Sequence, residues 1–216
     1  YMNNARLLTD KLIKQLGFDR SYVVSKGVNK KLLKDTLLTD YEITLLTPAV
    51  LSKYAQLTNN KELHKLISDK DRLKEYCRTR DVLDLVKDFT GNFSPEEFLS
   101  TLRNLTPRLY SVASSTLANS NELHLTVGLI ENKINKRKHR GVCSTYINDR
   151  VEVGDSITIA LEKNETFRLV SDNSIPIIMI GTSTGIAPFR AFLQERYHKG
   201  AKGENWLFFG DRHRES

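Results

Sequence analysis

The sequence predicts an α+β chain that turns α/β at its end. Three observations carry this. Apolar residues recur three and four apart through the first hundred positions. Residues 122–129 alternate apolar and polar with period two. Two continuous apolar runs, 175–180 and 206–210, flank a glycine turn and an amphipathic stretch. The 216 residues are 39% hydrophobic and 27% charged, a globular composition long enough to bury a core. No apolar run approaches the length that spans a bilayer, and no basic-then-apolar leader opens the chain.

The elements follow in order. Leu8, Leu12 and Leu16 mark a first helix, with Gly17 as its stop. Thr47-Pro48 caps a second, whose inner face is Val50, Leu51, Tyr54 and Ala55. Leu63, Leu66 and Ile67 mark another, and Leu73, Tyr76 and Cys77 one more. Ser94-Pro95-Glu96-Glu97 is a capping box ahead of Phe98, Leu99 and Leu102. The whole first hundred residues read as helix. From Thr106-Pro107 the pattern switches, and Leu109 to Ile159 reads as strands, with turns at Asn119-Ser120-Asn121 and Val153-Gly154-Asp155. A second switch comes near Asn173. Ile175 to Ile180 is expected as a buried parallel strand, Ala187 to His198 as a helix, and Trp206 to Gly210 as a second buried strand. Two parallel strands make no stable domain, so the sequence is expected to be a fragment.

Three stretches carry chemistry. Arg108-Leu109-Tyr110-Ser111 offers a guanidinium fork for a pyrophosphate and a ring to stack on a flat ligand. Strand parity puts Arg108 and Tyr110 on one side. Alone, this tetrapeptide reads more simply as a buried tyrosine beside a surface arginine. Gly141-Val142-Cys143-Ser144 precedes a short helix at Thr145-Tyr146-Ile147, where backbone N–H groups can close on a phosphate. Alone, it is equally a plain helix start. Gly181-Thr182-Ser183-Thr184-Gly185 follows an apolar strand and opens a helix, the setting of a phosphate turn without the usual G-x-G-x-x-G spacing. Pro188 suits the first turn of that helix.

The net charge is +7, concentrated in Lys133, Lys136, Arg137, Lys138 and Arg140. Such a run is ordinarily a solvated loop, and no aromatic residue interleaves with it as a base-stacking platform requires. Cys77 and Cys143 fit no metal spacing and are expected as free thiols in a reducing cytosol.

The three stretches in this order resemble the ferredoxin–NADP+ reductase superfamily. The helical segment ahead of the tyrosine motif points to its diflavin branch. The tracts 105–115, 180–192 and 205–210 are similar to the flavoproteins of assimilatory sulfite reductases in that branch. The resemblance implies a helical connecting domain over 1–105, a partial antiparallel FAD-binding β-barrel over 106–172, and the start of a doubly wound NADP-binding domain over 173–216. It implies FAD contacts at Thr44, Arg108, Leu109, Tyr110, Ser111, Thr126, Val127, Gly128, Gly141, Val142, Cys143 and Ser144. Tyr110 and Ser111 are the residues it sets against the reacting ring. It implies an NADPH pyrophosphate turn at Gly181, Thr184 and Gly185. In such proteins NADPH reduces FAD, and electrons pass through an FMN domain to a haem and iron–sulfur subunit. That subunit and the FMN domain are the expected partners, in the cytoplasm, with the full-length protein an oligomer. No metal site, nucleic acid or membrane is expected as a partner.

The departures from the pattern set further expectations. Thr182-Ser183 stands where relatives carry Pro-Gly, which predicts weakened nicotinamide nucleotide binding. Cys143 replaces a small apolar residue, and Asn132 a common aromatic. No FMN domain, early barrel strands or 2′-phosphate readers are present, so the isolated 216 residues are expected to hold FAD poorly and not to turn over NADPH. Three alternatives stay open: a diflavin NADPH reductase with another acceptor, a non-catalytic remnant, and a nucleic-acid binder whose binding falls steeply with salt.

Overall fold

The computed structural model describes residues 4–26, 29–134 and 137–211. Their contacts divide into two compact units. The first comprises residues up to Pro107 together with 129–157, and the second comprises 108–128 with residues from Thr158 onward.

The first unit is built on short helices. α1 (Arg6–Leu16) buries Leu12 and Ile13 and ends at Gly17, whose φ of 70° turns the chain where a side chain would be strained. The expectation of helix alone through the first hundred residues is corrected here. β1 (Val23–Lys26) and β2 (Asn29–Leu32) form an antiparallel hairpin, Val24 opposite Lys31. These segments hold β-branched residues and lysines with no apolar period of three or four, so nothing favours a buried helical face there. α2 (Leu33–Thr39) follows. α3 (Pro48–Thr58) starts where the Val50 N–H donates to Thr47 Oγ1 at 3.3 Å. α4 (Lys61–Ser68) is capped by Asn60 and α5 (Lys70–Thr79) by Asp69. α6 (Val82–Asp88) and α7 (Pro95–Thr101) begin in reciprocal capping boxes, Asp81 with Asp84 and Ser94 with Glu97.

The helices close over one apolar core that includes Leu33, Ile43, Leu51, Tyr54, Leu83, Leu85 and Phe98. Phe93 stacks on Phe98 at 5.8 Å, and Tyr54 meets both rings edge-on. The buried Tyr54 hydroxyl donates to the Phe89 carbonyl at 2.8 Å, and burial pushes its pKa up. β3 (Glu131–Ile134), β4 (Arg137–Arg140) and α8 (Val142–Arg150) complete this unit.

The second unit holds β5 (Ile177–Thr182), a single 3₁₀ turn at Ser183–Ile186, α9 (Ala187–His198) and β6 (Asn205–Gly210). β5 and β6 run parallel, in register from Ile177 opposite Asn205 to Thr182 opposite Gly210. α9 sits as the 187–198 pattern predicts. Buried Arg196 joins the pieces: Nε donates to Asn205 Oδ1 at 2.7 Å, and Nη2 donates to the carbonyls of Ile175 and Gly203 at 3.1 and 2.8 Å. Phe167 stacks on Phe192 of α9 at 5.4 Å.

Two strand expectations need correction. β5 and β6 are not buried strands: Ile178 and Ile180 are 70% and 72% exposed, and every position of β6 is exposed. One helix covers one face of a two-stranded sheet and leaves the other open. The 109–159 segment is not a run of strands. Residues 122–129 make one antiparallel bridge, Leu125 with Val112, and 157–161 join no ladder among the described residues. Alternation produces a strand only where a neighbour supplies the hydrogen bonds. Among the described residues the chain is therefore mixed helix and sheet with small sheets, none closed.

Candidate flavin and nicotinamide nucleotide site

The second unit brings the first and third motifs into one compact region. Burial alternates along the tyrosine motif as strand parity requires: Arg108 and Tyr110 are half-buried, and Leu109 and Ser111 are exposed. The chain then pairs with the 122–128 segment. Val112 bridges Leu125, and the Ala113 N–H donates to the His124 carbonyl at 2.8 Å. Thr126, Val127 and Gly128 follow that bridge. A Cβ on Gly128 would lie 3.1 Å from Thr184 Cγ2, so the backbone beside the tyrosine motif reaches the 181–185 turn at a van der Waals distance.

That turn is tight. A Cβ on Gly181 would stand 3.0 Å from two ring carbons of Phe189 and 3.1 Å from the Gly185 carbonyl, so a side chain there would have to push its neighbours aside. Gly185 meets nothing within 4 Å. Ser183 has φ 47°, the left-handed region that glycine occupies at no cost. The turn thus holds a serine against its conformational preference. The small-residue turn, with no side-chain cap, fits a nucleotide pyrophosphate.

α9 is tied to the strand pair by contacts the sequence does not foretell. Arg190 Nη1 donates to the Ala113 carbonyl and, at 3.0 Å, to His124 Nδ1. Arginine only donates, so Nδ1 accepts, and Nε2 carries the hydrogen toward Glu122 Oε2 at 2.8 Å. The Ser115 N–H donates to Gln194 Oε1 at 2.9 Å, and its hydroxyl donates to Glu195. Arg190, Gln194 and Glu195 repeat at four and one along α9, a helix-face signal that names a docked side but not its partner.

The second motif lies in the first unit. Gly141 N-caps α8, and no side chain caps that helix, so its first N–H groups suit an anionic ligand. The Gly141 N–H donates to the Ile130 carbonyl at 2.9 Å, and the Ile130 N–H donates to Ser144 Oγ at 3.1 Å. A Cβ on Gly141 would stand 3.0 Å from both Ile130 Cβ and Ser144 Oγ. The chain is tight at Gly141, and the uncapped first turn of α8 that follows it is a form that fits a pyrophosphate. Val142 and Ser144 are buried, and Cys143 is half-buried with a free thiol, as is Cys77. Thr44 belongs to this unit too. Its hydroxyl donates to Glu42 Oε1 at 2.6 Å, and Glu42 is buried within 3.8 Å of Arg103.

The basic run is not a solvated loop. Lys133 is on β3, and Arg137, Lys138 and Arg140 form β4; Lys136 lies outside the described residues. Arg137 reaches the carboxylates of Asp81, which N-caps α6, and Asp84 within α6, and Arg140 bridges Glu131 and Asp149. Periodicity could not reveal the Arg137 pairs, because their partners are some fifty residues away. No helix among the described residues is long and apolar enough to cross a membrane.

Comparisons with known proteins agree with these motifs. The FAD binding domain family matches residues 35–146, more than half of the chain, and the oxidoreductase NAD-binding domain family matches 179–216. The flavoprotein alpha-component of NADPH sulfite reductase from Bacillus subtilis is 42% identical over 99% of this chain. The proteins of the same name from Zymomonas mobilis and Mannheimia succiniciproducens are 44% and 46% identical over 86% and 82% of it. The chain spans 36%, 31% and 30% of those three relatives. It belongs to the FAD-binding domain family, in the diflavin branch of the ferredoxin–NADP+ reductase superfamily.

Proposed function

We propose that this chain is the FAD-binding region, with the opening of the NADPH-binding domain, of the electron-transfer flavoprotein that serves an assimilatory sulfite reductase. Residues 1–105 would be the helical connecting domain, 106–172 part of the flavin barrel, and 173–216 the start of the NADP-binding domain. FAD held here would supply hydride chemistry between NADPH and an FMN domain, in a protein that passes electrons on to the haem subunit that reduces sulfite to sulfide. The chain's own residues bind and orient. Arg108 by its charge and the 141–144 loop by its backbone N–H groups would hold the FAD pyrophosphate. Tyr110 and Ser111 would be the residues against the reacting ring, with Leu109, Thr126, Val127, Gly128 and Thr44 as further FAD contacts. Gly181, Thr184 and Gly185 would hold the NADPH pyrophosphate. The partners would be an FMN domain of the same full-length protein and the haem subunit, in an oligomer in the cytoplasm.

The observation that carries this is the approach of Gly128 to Thr184, which sets the flavin strand against the nicotinamide turn within one unit. Anaerobic NADPH added to the full-length flavoprotein bleaches its flavin, and the reduced protein then reduces the haem subunit. Bleaching with no transfer to that subunit favours another acceptor. The serine at φ 47° favours a second reading, a remnant that no longer accepts hydride, for which the flavin stays oxidised.

A further inference from the structure

A charge cluster in the first unit joins α6 to the strand that leads into the 141–144 loop. Arg137 lies on β4, four residues before Gly141. Its Nη2 stands 2.6 Å from Asp81 Oδ1 and 2.6 Å from Asp84 Oδ2. His139 is two residues further on the same strand face. Its Nδ1 lies 3.7 Å from Asp81 Oδ2, and its Nε2 lies 3.7 Å from Asp84 Oδ2. Both carboxylates already fix the start of α6, since they form its capping box. The same two side chains therefore grip the first turn of a core helix and the second strand of the hairpin. Beyond the grip, Arg140 ties β4 to Glu131 on β3 at 2.8 Å and to Asp149 on α8 at 2.6 Å. The Gly141 N–H then closes on Ile130, the residue just before β3.

We infer that Arg137, seconded by His139, is a positioning residue for FAD: it latches the β3–β4 hairpin onto Asp81 and Asp84 and thereby sets the 141–144 loop where a pyrophosphate binds. The inference rests on the reading of that loop as the FAD pyrophosphate loop. The guanidinium acts by geometry rather than by its own field, because two carboxylates at 2.6 Å neutralise its charge. Ligand atoms of Asp81, Asp84 and His139 lie within 4.8 Å of one another, a spacing that could hold a metal ion. The arginine already fills the space between the carboxylates, so the cluster is a latch and carries no metal site. Both carboxylates meet the single nitrogen Nη2, and the pre-organised planar guanidinium holds that nitrogen in place at less entropic cost than a flexible lysine stem would hold an ammonium.

The test uses the full-length flavoprotein stripped of flavin. FAD affinity is read from quenching of flavin fluorescence, and local order from amide hydrogen exchange. Arg137→Ala weakens FAD binding about tenfold or more, speeds exchange over 129–145, and leaves α3 and α7 as protected as in wild type. Arg137→Lys falls between the two. Asp84→Asn keeps a capping acceptor and removes one ion pair, so it gives a smaller loss in a protein that folds even if Arg137→Ala does not. The salt dependence of FAD binding stays that of wild type. The latch is overturned if Arg137→Ala and Asp84→Asn both bind FAD within twofold of wild type. It is also overturned if affinity falls only together with protection of α3 and α7, or if the salt dependence becomes shallower, which would mean direct contact with phosphate. Wild-type protein that takes up no FAD at all overturns the reading of the loop, a result separable from failure of the latch alone.

Discussion

The two units are held by different physics. In residues up to Pro107 with 129–157, a continuous cluster of buried leucines, valines and aromatics ties helix to helix, and most helices carry a side-chain cap. In 108–128 with residues from Thr158 onward, the buried apolar side chains among the described residues are Ala113, Met179 and Ala187. Order there rests on polar clasps: Arg196 across the ends of β5 and β6, and Arg190, Gln194 and Glu195 onto the strand pair. Trp206 and Phe208 stack on each other at 6.4 Å and stay more than half exposed. Apolar burial is non-directional and tolerant, whereas a hydrogen-bonded clasp fails when one partner goes. The first unit should therefore lose stability in proportion to volume removed, and the second in proportion to donors removed.

The largest expected effect tests the first half of that contrast. Phe98 is fully buried and touches three other aromatic rings, Phe18, Tyr54 and Phe93. Phe98→Ala is expected to cost about 3–5 kcal/mol by urea denaturation followed by circular dichroism. Ile180→Ser, on the open face of β5, should change stability by less than about 0.5 kcal/mol. A cost at Ile180 close to that at Phe98 would mean the face is covered in solution, and the contrast between the units would collapse.

Arg196 tests the other half. Arg196→Met keeps the apolar stem and removes the donors to Asn205 Oδ1 and to the Ile175 and Gly203 carbonyls. The expected cost is about 3 kcal/mol, read as lost amide protection along β5 and β6 with the helices of the first unit unaffected. Unchanged protection would show that packing of Phe167 on Phe192 suffices to hold α9.

How far the sequence foretold these two kinds of order differs for the same reason. The helices at Thr47-Pro48 and Ser94-Pro95 were legible because their caps lie within four residues of the apolar face they introduce. The run from Ala187 to His198 was legible because Pro188 suits only a first turn. The β1–β2 hairpin was not, since neither strand has an apolar face to betray it. The clasps were not either: Arg137 with Asp81, and Arg190 with Ala113, join positions more than fifty residues apart, and one sequence shows no such pairing. Of the site, the glycine turn and the tyrosine motif could be read as local shapes. What the sequence could not give was the docking that surrounds them, or that Ser183 keeps the left-handed turn.

That serine gives a prediction of intermediate size. Ser183→Gly removes the strain of a side chain at φ 47°, worth about 1 kcal/mol. The thermal midpoint should rise, and the NADPH dissociation constant of the full-length flavoprotein should fall several-fold. A rise in stability with no change in NADPH affinity would confine the strain to the free turn. No change in either would mean that the second unit absorbs the serine without cost, which would sharpen its picture as loosely packed.

The smallest effect concerns a clasp at the surface. Hydrogen bonds from Lys199 and then from Ser115 hold the Glu195 carboxyl below the usual carboxylate range, and slight desolvation opposes them. A carboxylate whose folded pKa lies below its unfolded value stabilises the fold fully above the unfolded value, roughly 4.3, and loses that contribution as pH falls through the folded one. Glu195 is partly exposed, so solvent screening limits the contribution to a few tenths of a kcal/mol. Glu195→Gln keeps an acceptor for the Ser115 hydroxyl and removes only the charge. It should lower α9 amide protection slightly at pH 7, and the difference from wild type should shrink as pH falls through the folded pKa and the wild-type carboxyl takes up its proton. A loss at pH 7 larger than that of Arg196→Met would put ionic pairing ahead of the buried Arg196 clasp as what orders this unit. The ranking of its polar contacts would then have to be reversed.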